Sequence, residues 1–327
     1  MEYLISQDGS GDFRTLQEAV DALPAVGSEP CVLRLAPGVY RGRVIVNRDH
    51  LHILSTDPET TVLAASGCAK DLNEEGQEKG TFLSWTLLVT GNDVTVENLT
   101  VRNDAGDGRL VGQAVAVYAA GDNGRWINCR FVACQDTLFC GPTMPKVQKD
   151  ALPRTVPARV PSVGDCPPVT GRQYFRDCLI RGDVDFIFGP YTCLFECCTL
   201  FMNERGGWYT AANTPEANPL GMVFLNCHLT GACAPGAAYL GRPWRAFART
   251  VFLNCDMDEH VAPAGFADWD ENRVVTARYA EYGSHGTGSC PEKRHPGEKM
   301  LTTEEANELL RAINQLFKGE WVYEQTE

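Results

Sequence analysis

The chain has no apolar stretch of the roughly 18 residues that a membrane-spanning helix needs. It has no Cys-x-x-Cys pair either, so the usual zinc and thioredoxin spacings are missing. The six histidines are scattered, with no His-Glu-x-x-His, and Cys227-His228 is an isolated pair. No Gly-x-Ser-x-Gly elbow occurs, and the nearest look-alike, Tyr282-Gly283-Ser284-His285-Gly286, lacks its first glycine. These gaps leave serine-hydrolase and zinc-hydrolase chemistry without a signature. Basic residues are scarce: 29 Lys and Arg against 42 Asp and Glu give a net charge of −13. That balance argues against nucleic acid and anionic membranes as partners, because both need clustered Lys and Arg. The N-terminus, Met1 to Asp8, shows no basic start, apolar core or small-residue cleavage site. The expectation is therefore a cytoplasmic protein whose fourteen cysteines are reduced thiols, or a secreted one if a leader has been removed.

What the chain does have is an internal repeat: a bulky apolar residue, one residue, Asn, Asp or Glu, then Cys. It appears as Trp126-Ile127-Asn128-Cys129, Phe175-Arg176-Asp177-Cys178, Leu194-Phe195-Glu196-Cys197, Phe224-Leu225-Asn226-Cys227 and Phe252-Leu253-Asn254-Cys255. A looser copy is Val94-Thr95-Val96-Glu97-Asn98-Leu99. From Cys178 onward the copies follow at intervals of 19 to 30 residues. Such periods mark solenoids, in which each turn buries a face on its neighbours. Each unit is short, rich in Val, Ile, Phe and Thr, and bounded by Gly, Asn or Asp, which reads as strand and turn. The fold predicted is all-β, a single-stranded parallel β-helix, with the repeated cysteines as small fillers inside the coil.

One domain is expected over residues 1–327, with short helices near its ends. Phe13, Leu16, Val20 and Leu23 keep helical spacing until Pro24 stops it. Over residues 302–317, Thr302 and Glu305 resemble a capping box, followed by an apolar stripe of Leu309, Leu310, Ile313, Leu316 and Phe317. Both read as lids or packing pieces. Gly141 to Gly171 contains seven prolines and little periodic apolar content, so it reads as an inserted loop. Lys70 to Lys79 reads as a second, shorter one.

Asp136 lies seven residues after Cys129, and Asp185 seven after Cys178. Equal phase in a stack would put both carboxyls on one face of neighbouring turns, about 4.8 Å apart along the coil. One can then stay ionised while the other keeps a proton, which makes a nucleophile and an acid from identical side chains. Spacing alone leaves open a chance pair of turn aspartates. Gln113 and Gln135 could donate to an oxyanion without titrating, but Gln135 directly precedes Asp136 and would need a local turn to face the same centre. Arg242, in Leu240-Gly241-Arg242-Pro243-Trp244, could fix a carboxylate through paired hydrogen bonds, or form an ordinary structural ion pair beside a buried Trp244.

Taken together these segments resemble the pectin methylesterase family, from Asp8-Gly9-Ser10-Gly11-Asp12-Phe13 to about Leu316. The motifs stand in order: Gly38-Val39-Tyr40, Gln113-Ala114-Val115-Ala116-Val117, Gln135-Asp136-Thr137-Leu138, Asp185-Phe186-Ile187-Phe188-Gly189 and Leu240-Gly241-Arg242-Pro243-Trp244. The resemblance implies a right-handed parallel β-helix of the pectin lyase-like kind. It implies Asp185 as nucleophile, Asp136 as acid and base, Gln113 and Gln135 as oxyanion donors and Arg242 as the residue that orients Asp185. It places Thr81, Gln113, Phe139, Arg242, Trp244 and Phe266 at substrate contacts. Phe139 stands where Tyr is frequent, Phe266 where Trp is common, and Gly42 where an acidic residue is usual. No metal or organic cofactor is implied. The expected partner is methyl-esterified homogalacturonan or its oligomers, acted on by a monomer. The inserted loop, walling one end of the cleft, would favour short oligomers.

Two other readings fit a β-helix. A pectin-cleaving lyase or glycosidase would need a calcium-binding carboxylate cluster or would make new chain ends, and no such acidic cluster stands beside Asp136 and Asp185. A non-catalytic sugar-binding coil would be signalled by loss of either aspartate or of Arg242, and all three are present.

Overall fold

The computed structural model describes residues 1–24, 30–144, 146–147, 171–269 and 276–316. Most of the Gly141–Gly171 loop, and Phe317 of the expected helix, lie outside the described residues. Among those described, 26 strands form three sheets of eleven, eight and seven strands. The chain visits the sheets in rotation: Arg172–Arg176 in the long sheet, Leu179–Gly182 in the eight-stranded one, Ile187–Gly189 in the seven-stranded one, then Thr192–Glu196 back in the first. Each strand pairs in parallel with the equivalent strand of the next turn. This is a parallel β-helix.

Register is what the repeat encodes. Phe175 pairs with Phe195, Phe195 with Phe224 and Phe224 with Phe252. Identical rings one strand apart stack face to face, at centroid distances of 4.5, 4.5 and 4.6 Å and interplanar angles of 7°, 8° and 11°. The rise between strands, about 4.8 Å, is close to the preferred ring separation, so the ladder fills the coil with little rearrangement.

Beside it runs a column of thiols, Cys129, Cys178, Cys198, Cys227 and Cys255, each at most 1% exposed. Each donates to the carbonyl of the aromatic or apolar residue one turn earlier: Cys178 to Trp126, Cys198 to Phe175, Cys227 to Phe195 and Cys255 to Phe224, at 3.2 to 3.6 Å. One expectation needs correcting. The inward cysteine of the third copy is Cys198, and Cys197 is exposed. Pairing of Phe195 with Phe175 and Phe224 shifts that copy by one residue and puts Cys197 in the row of left-handed turn residues. That row is Asn98, Asn128, Asp177, Cys197, Asn226 and Asn254, with φ between 48° and 57°. Asn and Asp tolerate this conformation best among residues with a Cβ.

The first helix, Leu16–Ala22, is held by a capping box between Thr15 and Glu18 and buries Leu16, Ala19 and Val20 against the first turn. The last, Thr303–Leu316, is preceded by the expected Thr302–Glu305 exchange of hydrogen bonds. Its Ala306, Leu309 and Ile313 lie on Tyr174, Leu194, Val223 and Val251 of the long sheet. It flanks the coil rather than closing its end. That cover explains why Met222–Leu225 is buried at every position, where a one-faced strand would alternate. Among the described residues no helix is long and apolar enough to cross a membrane.

Two stability changes follow. Phe224→Ala removes a ring from the middle of the ladder and is expected to cost about 3–5 kcal/mol, read as a lower urea midpoint. Cys197→Asn puts the residue type of the row into its one odd position and should raise stability by up to about 1 kcal/mol.

Candidate active site

The seven-stranded sheet builds the site. Leu138 pairs with Ile187 and Phe139 with Phe188. The ladder continues toward the turn: Leu138 N–H donates to Phe186 O at 2.8 Å and Asp136 N–H to Val184 O at 3.0 Å. Asp136 therefore sits beside Asp185 on adjacent turns, as their equal phase required. Both are left-handed, with φ of 64° and 53°. At Asp136 this is the local turn that Gln135 needed, and it lets consecutive side chains reach one cavity. Thr137 Oγ1 fixes the turn by donating to Arg181 O at 2.9 Å. Gly182 makes room for it, since a Cβ there would stand 2.6 Å from Thr137 Oγ1 and 2.3 Å from Phe186 Cβ.

Arg242 follows the strand Ala238–Gly241, two turns beyond Asp185 along the Ile187–Thr210–Gly241 row. Its guanidinium returns to Asp185 as a fork, Nε to Oδ1 at 2.8 Å and Nη2 to Oδ2 at 2.7 Å. Its flat faces are packed between Trp208 and Trp269, 3.8 and 4.1 Å from the ring centroids. Stacking and fork together fix the cation in one plane, which a lysine could not reproduce.

These groups line a cavity of about 330 Å³ with Thr81, Phe82, Gln113, Gln135, Phe188, Ala211, Trp244 and Trp269. Among the described residues no side-chain partner engages the amide of Gln113 or Gln135, so their N–H groups are available to a ligand. A larger groove of about 1010 Å³ lies between the last helix and the long sheet, but it contains neither aspartate. Chemistry, rather than size, marks the site. No cluster of His, Cys, Asp or Glu suited to a metal occurs among the described residues.

The two carboxyls differ in electrostatics. Burial pushes Asp136 well above the ordinary carboxylate value; the charge of Asp185 adds to this, Arg242 opposes it, and Asp183 adds again. Burial also leaves Asp185 above the ordinary carboxylate value, and the hydrogen bonds and charge of Arg242 offset only part of that rise. The two carboxyls are thus unequal: Asp136 is the more strongly raised, and the guanidinium fork belongs to Asp185. Such a pair can attack an acyl carbon and protonate a leaving group.

The structure brings together Asp136, Asp185, Arg242, Gln113, Gln135, Thr81 and Trp244. Two expected contacts do not reach the cavity. Phe139 is fully buried among Phe82, Tyr118 and Phe188, with centroids 4.7 to 5.0 Å away, beside Phe188 on the same face of the sheet but covered by these rings. Phe266 is 1% exposed and stacks on Tyr279 at 3.9 Å inside the coil. Trp269, three residues later, does line the cavity. Phe82, Phe188, Trp208 and Trp269 went unnoticed in the sequence. Phe188 stands inside a quoted motif, whereas nothing in the local pattern marks the two tryptophans.

A family model described as Pectinesterase matches residues 2–143 and 168–319. This chain belongs to the pectinesterase family. It is 33% identical to Pectinesterase 31 of Arabidopsis thaliana over 309 residues, 92% of this chain and 88% of that protein. It is 29% identical to the probable pectinesterase/pectinesterase inhibitor 23 of the same plant, covering 98% of this chain but 53% of the relative. Among solved structures, pectin methylesterase PemA from Erwinia chrysanthemi superposes with a TM-score of 0.78 at 27% identity, over 98% of this chain and 97% of that one. Pectin methylesterase from carrot gives 0.77 at 27% identity, covering 93% and 89%. A pectin methylesterase in complex with a hexasaccharide also gives 0.77, at 28% identity and 98% and 97% coverage. The pectinesterase match breaks at residues 144–167, inside the Gly141–Gly171 stretch.

A carboxyl held above its ordinary value of 3.8 costs the fold stability once solvent would ionise it. The unfolded acid releases its proton near 3.8 and the folded one only at higher pH, so stability falls as pH rises between those points. Asp136→Asn removes this penalty. Its urea midpoint should match the wild type near pH 3.5 and exceed it increasingly toward neutral pH, about 1.4 kcal/mol for each pH unit inside that window.

Proposed function

We propose that this protein hydrolyses the C6 methyl esters of galacturonate residues, in pectin or in methylated oligogalacturonides, and releases methanol. The observation that carries the reading is the asymmetric aspartate pair. Asp185 is gripped by a stacked, forked arginine, while Asp136 lies one turn away with no ion-pair partner among the described residues, in a cleft with two available amides. Family membership and the hexasaccharide-bound relative support the class of reaction and of substrate.

In this mechanism an Asp185 oxygen attacks the ester carbonyl carbon. The tetrahedral oxyanion takes hydrogen bonds from Gln113 and Gln135, each of the kind worth roughly 3 kcal/mol in the transition state. As the C–O bond to the methoxy group breaks, Asp136 gives its proton to the departing oxygen and methanol leaves. The product is an anhydride between Asp185 and the sugar. Asp136, now a carboxylate, takes a proton from water, whose oxygen attacks the sugar carbonyl. The acid leaves, Asp185 is again ionised and Asp136 again protonated. Arg242 holds Asp185 in the ionised form and in the plane for attack. Trp244, Trp269, Phe82 and Phe188 offer flat apolar surfaces to the sugar ring and the methyl group.

Methanol release from methylated trigalacturonate and from high-ester pectin tests this. Wild type should release it, and Asp185→Asn and Asp136→Asn should each lose roughly 10³-fold or more in kcat. Gln113→Ala should lose roughly 10²-fold in kcat with little change in KM. An ultraviolet-absorbing product, or oligogalacturonide binding with unchanged methyl content, would replace the esterase with the lyase or binding-protein reading. Full activity in Asp185→Asn would keep the esterase and overturn its nucleophile.

A further inference from the structure

One of the two cleft amides is seated on a glycine. Gly108 is buried and opens the short helical turn Gly108–Val111. A Cβ built on it would stand 2.8 Å from Gln135 Cβ and 3.0 Å from Gln135 Oε1. Two Cβ atoms do not approach to 2.8 Å unless the backbone moves, so any other residue here would displace Gln135. The next neighbour of that position, Arg205 Nη1 at 3.4 Å, would be in ordinary contact. With its oxygen end against Gly108, the Gln135 amide leaves its NH₂ end to the cavity that it lines.

Neither side of this contact yields easily. The turn is capped by Asp107, whose carboxylate accepts from the N–H and the Nε of Arg109, each at 2.9 Å. Val111 and Gly112 N–H donate to the carbonyls of Asp107 and Gly108 at 3.1 and 2.9 Å, and Lys70 Nζ donates to Leu110 O at 2.7 Å. On the other side, Gln135 O accepts from Ala114 N–H at 3.0 Å. The same turn ends at Gly112, directly before Gln113, whose carbonyl accepts from Ala69 N–H at 2.8 Å. It therefore adjoins one amide in sequence and touches the other in space. A protein acceptor on the Gln135 NH₂ would fix the amide but consume the donor that an oxyanion needs. A steric seat fixes it and leaves the donor available.

We propose that Gly108 is a positioning residue for the esterase reaction: having no side chain, it seats Gln135 so that the amide NH₂ faces the oxyanion. The inference rests on the esterase reading above and on Gln135 as a donor within it. Gly108 acts through Gln135 alone, so a methyl group at this position should damage catalysis only where Gln135 is present.

The test is a double-mutant cycle on methanol release from methylated trigalacturonate, with wild type, Gly108→Ala, Gln135→Ala and the double variant. Gln135→Ala should lose roughly 10²-fold in kcat. Gly108→Ala should lose roughly tenfold in kcat with KM within about twofold of the wild type, and should add nothing in the Gln135→Ala background. Leu110→Ala, at an exposed position of the same turn, should match the wild type. Full activity in Gly108→Ala, the same loss in both backgrounds, or an equal loss in Leu110→Ala would overturn the role given to Gly108 while leaving the esterase intact. Full activity in Gln135→Ala would overturn it too, by removing the donor through which it acts. Absence of methanol from the wild type would instead strike the esterase reading. If Gly108→Ala does not fold, ¹⁵N relaxation of the Gln135 side-chain amide in the wild type decides, the signal being assigned by its loss in Gln135→Ala. An order parameter near ~0.85 supports a seated amide, and one below about 0.6 overturns the proposal.

Discussion

Everything in this molecule depends on parallel strands stacking in register at a rise of about 4.8 Å. That rise turns sequence phase into spatial neighbourhood. It stacks Phe175, Phe195, Phe224 and Phe252 into one column of rings and lines up the inward thiols beside them. It also brings two aspartates 49 positions apart into one cleft, because Asp136 and Asp185 each precede a paired strand by the same two residues. The scaffold that is cheapest to build by repetition is therefore the one that forces two like charges together.

The site lives with that conflict by giving the two carboxyls different surroundings. Asp185 receives a guanidinium fixed by two hydrogen bonds and two tryptophan faces. Asp136 receives burial and negative neighbours. Both carry left-handed backbone that an ordinary strand would avoid. Neither feature helps the coil to fold, and both make two identical side chains chemically unequal, as the proposed esterase mechanism requires. The ladder of rings and thiols supplies the stability that the site gives up.

The β-helix and the pairing of the aspartates were legible because both are matters of period, and period survives in a linear sequence. The third repeat copy shows the limit of this. Leu194-Phe195-Glu196-Cys197 satisfies the pattern, yet the adjacent Cys198 is the inward residue, since ring stacking at Phe195 outweighs a match of letters. The turn at Gln135 and Asp136 was visible only as a requirement, because left-handed φ at a single aspartate leaves no pattern. Phe139 and Phe266 were assigned to the cleft by position in motifs, but Phe266 points into the coil, and Phe139, on the same outer face as Phe188, is covered by Phe82 and Tyr118. Trp208 and Trp269 come from turns 61 residues apart, and only the path of the coil brings them to the two faces of Arg242.

The central claim is the division of labour between the aspartates, and covalent trapping reaches it most directly. Wild-type enzyme turning over methylated oligogalacturonide would be mixed with hydroxylamine, which opens an anhydride, and the aspartate peptides read by mass spectrometry. The account predicts substrate-dependent hydroxamate on Asp185 and none on Asp136. Label on Asp136, or steady methanol release with label on neither, would contradict it.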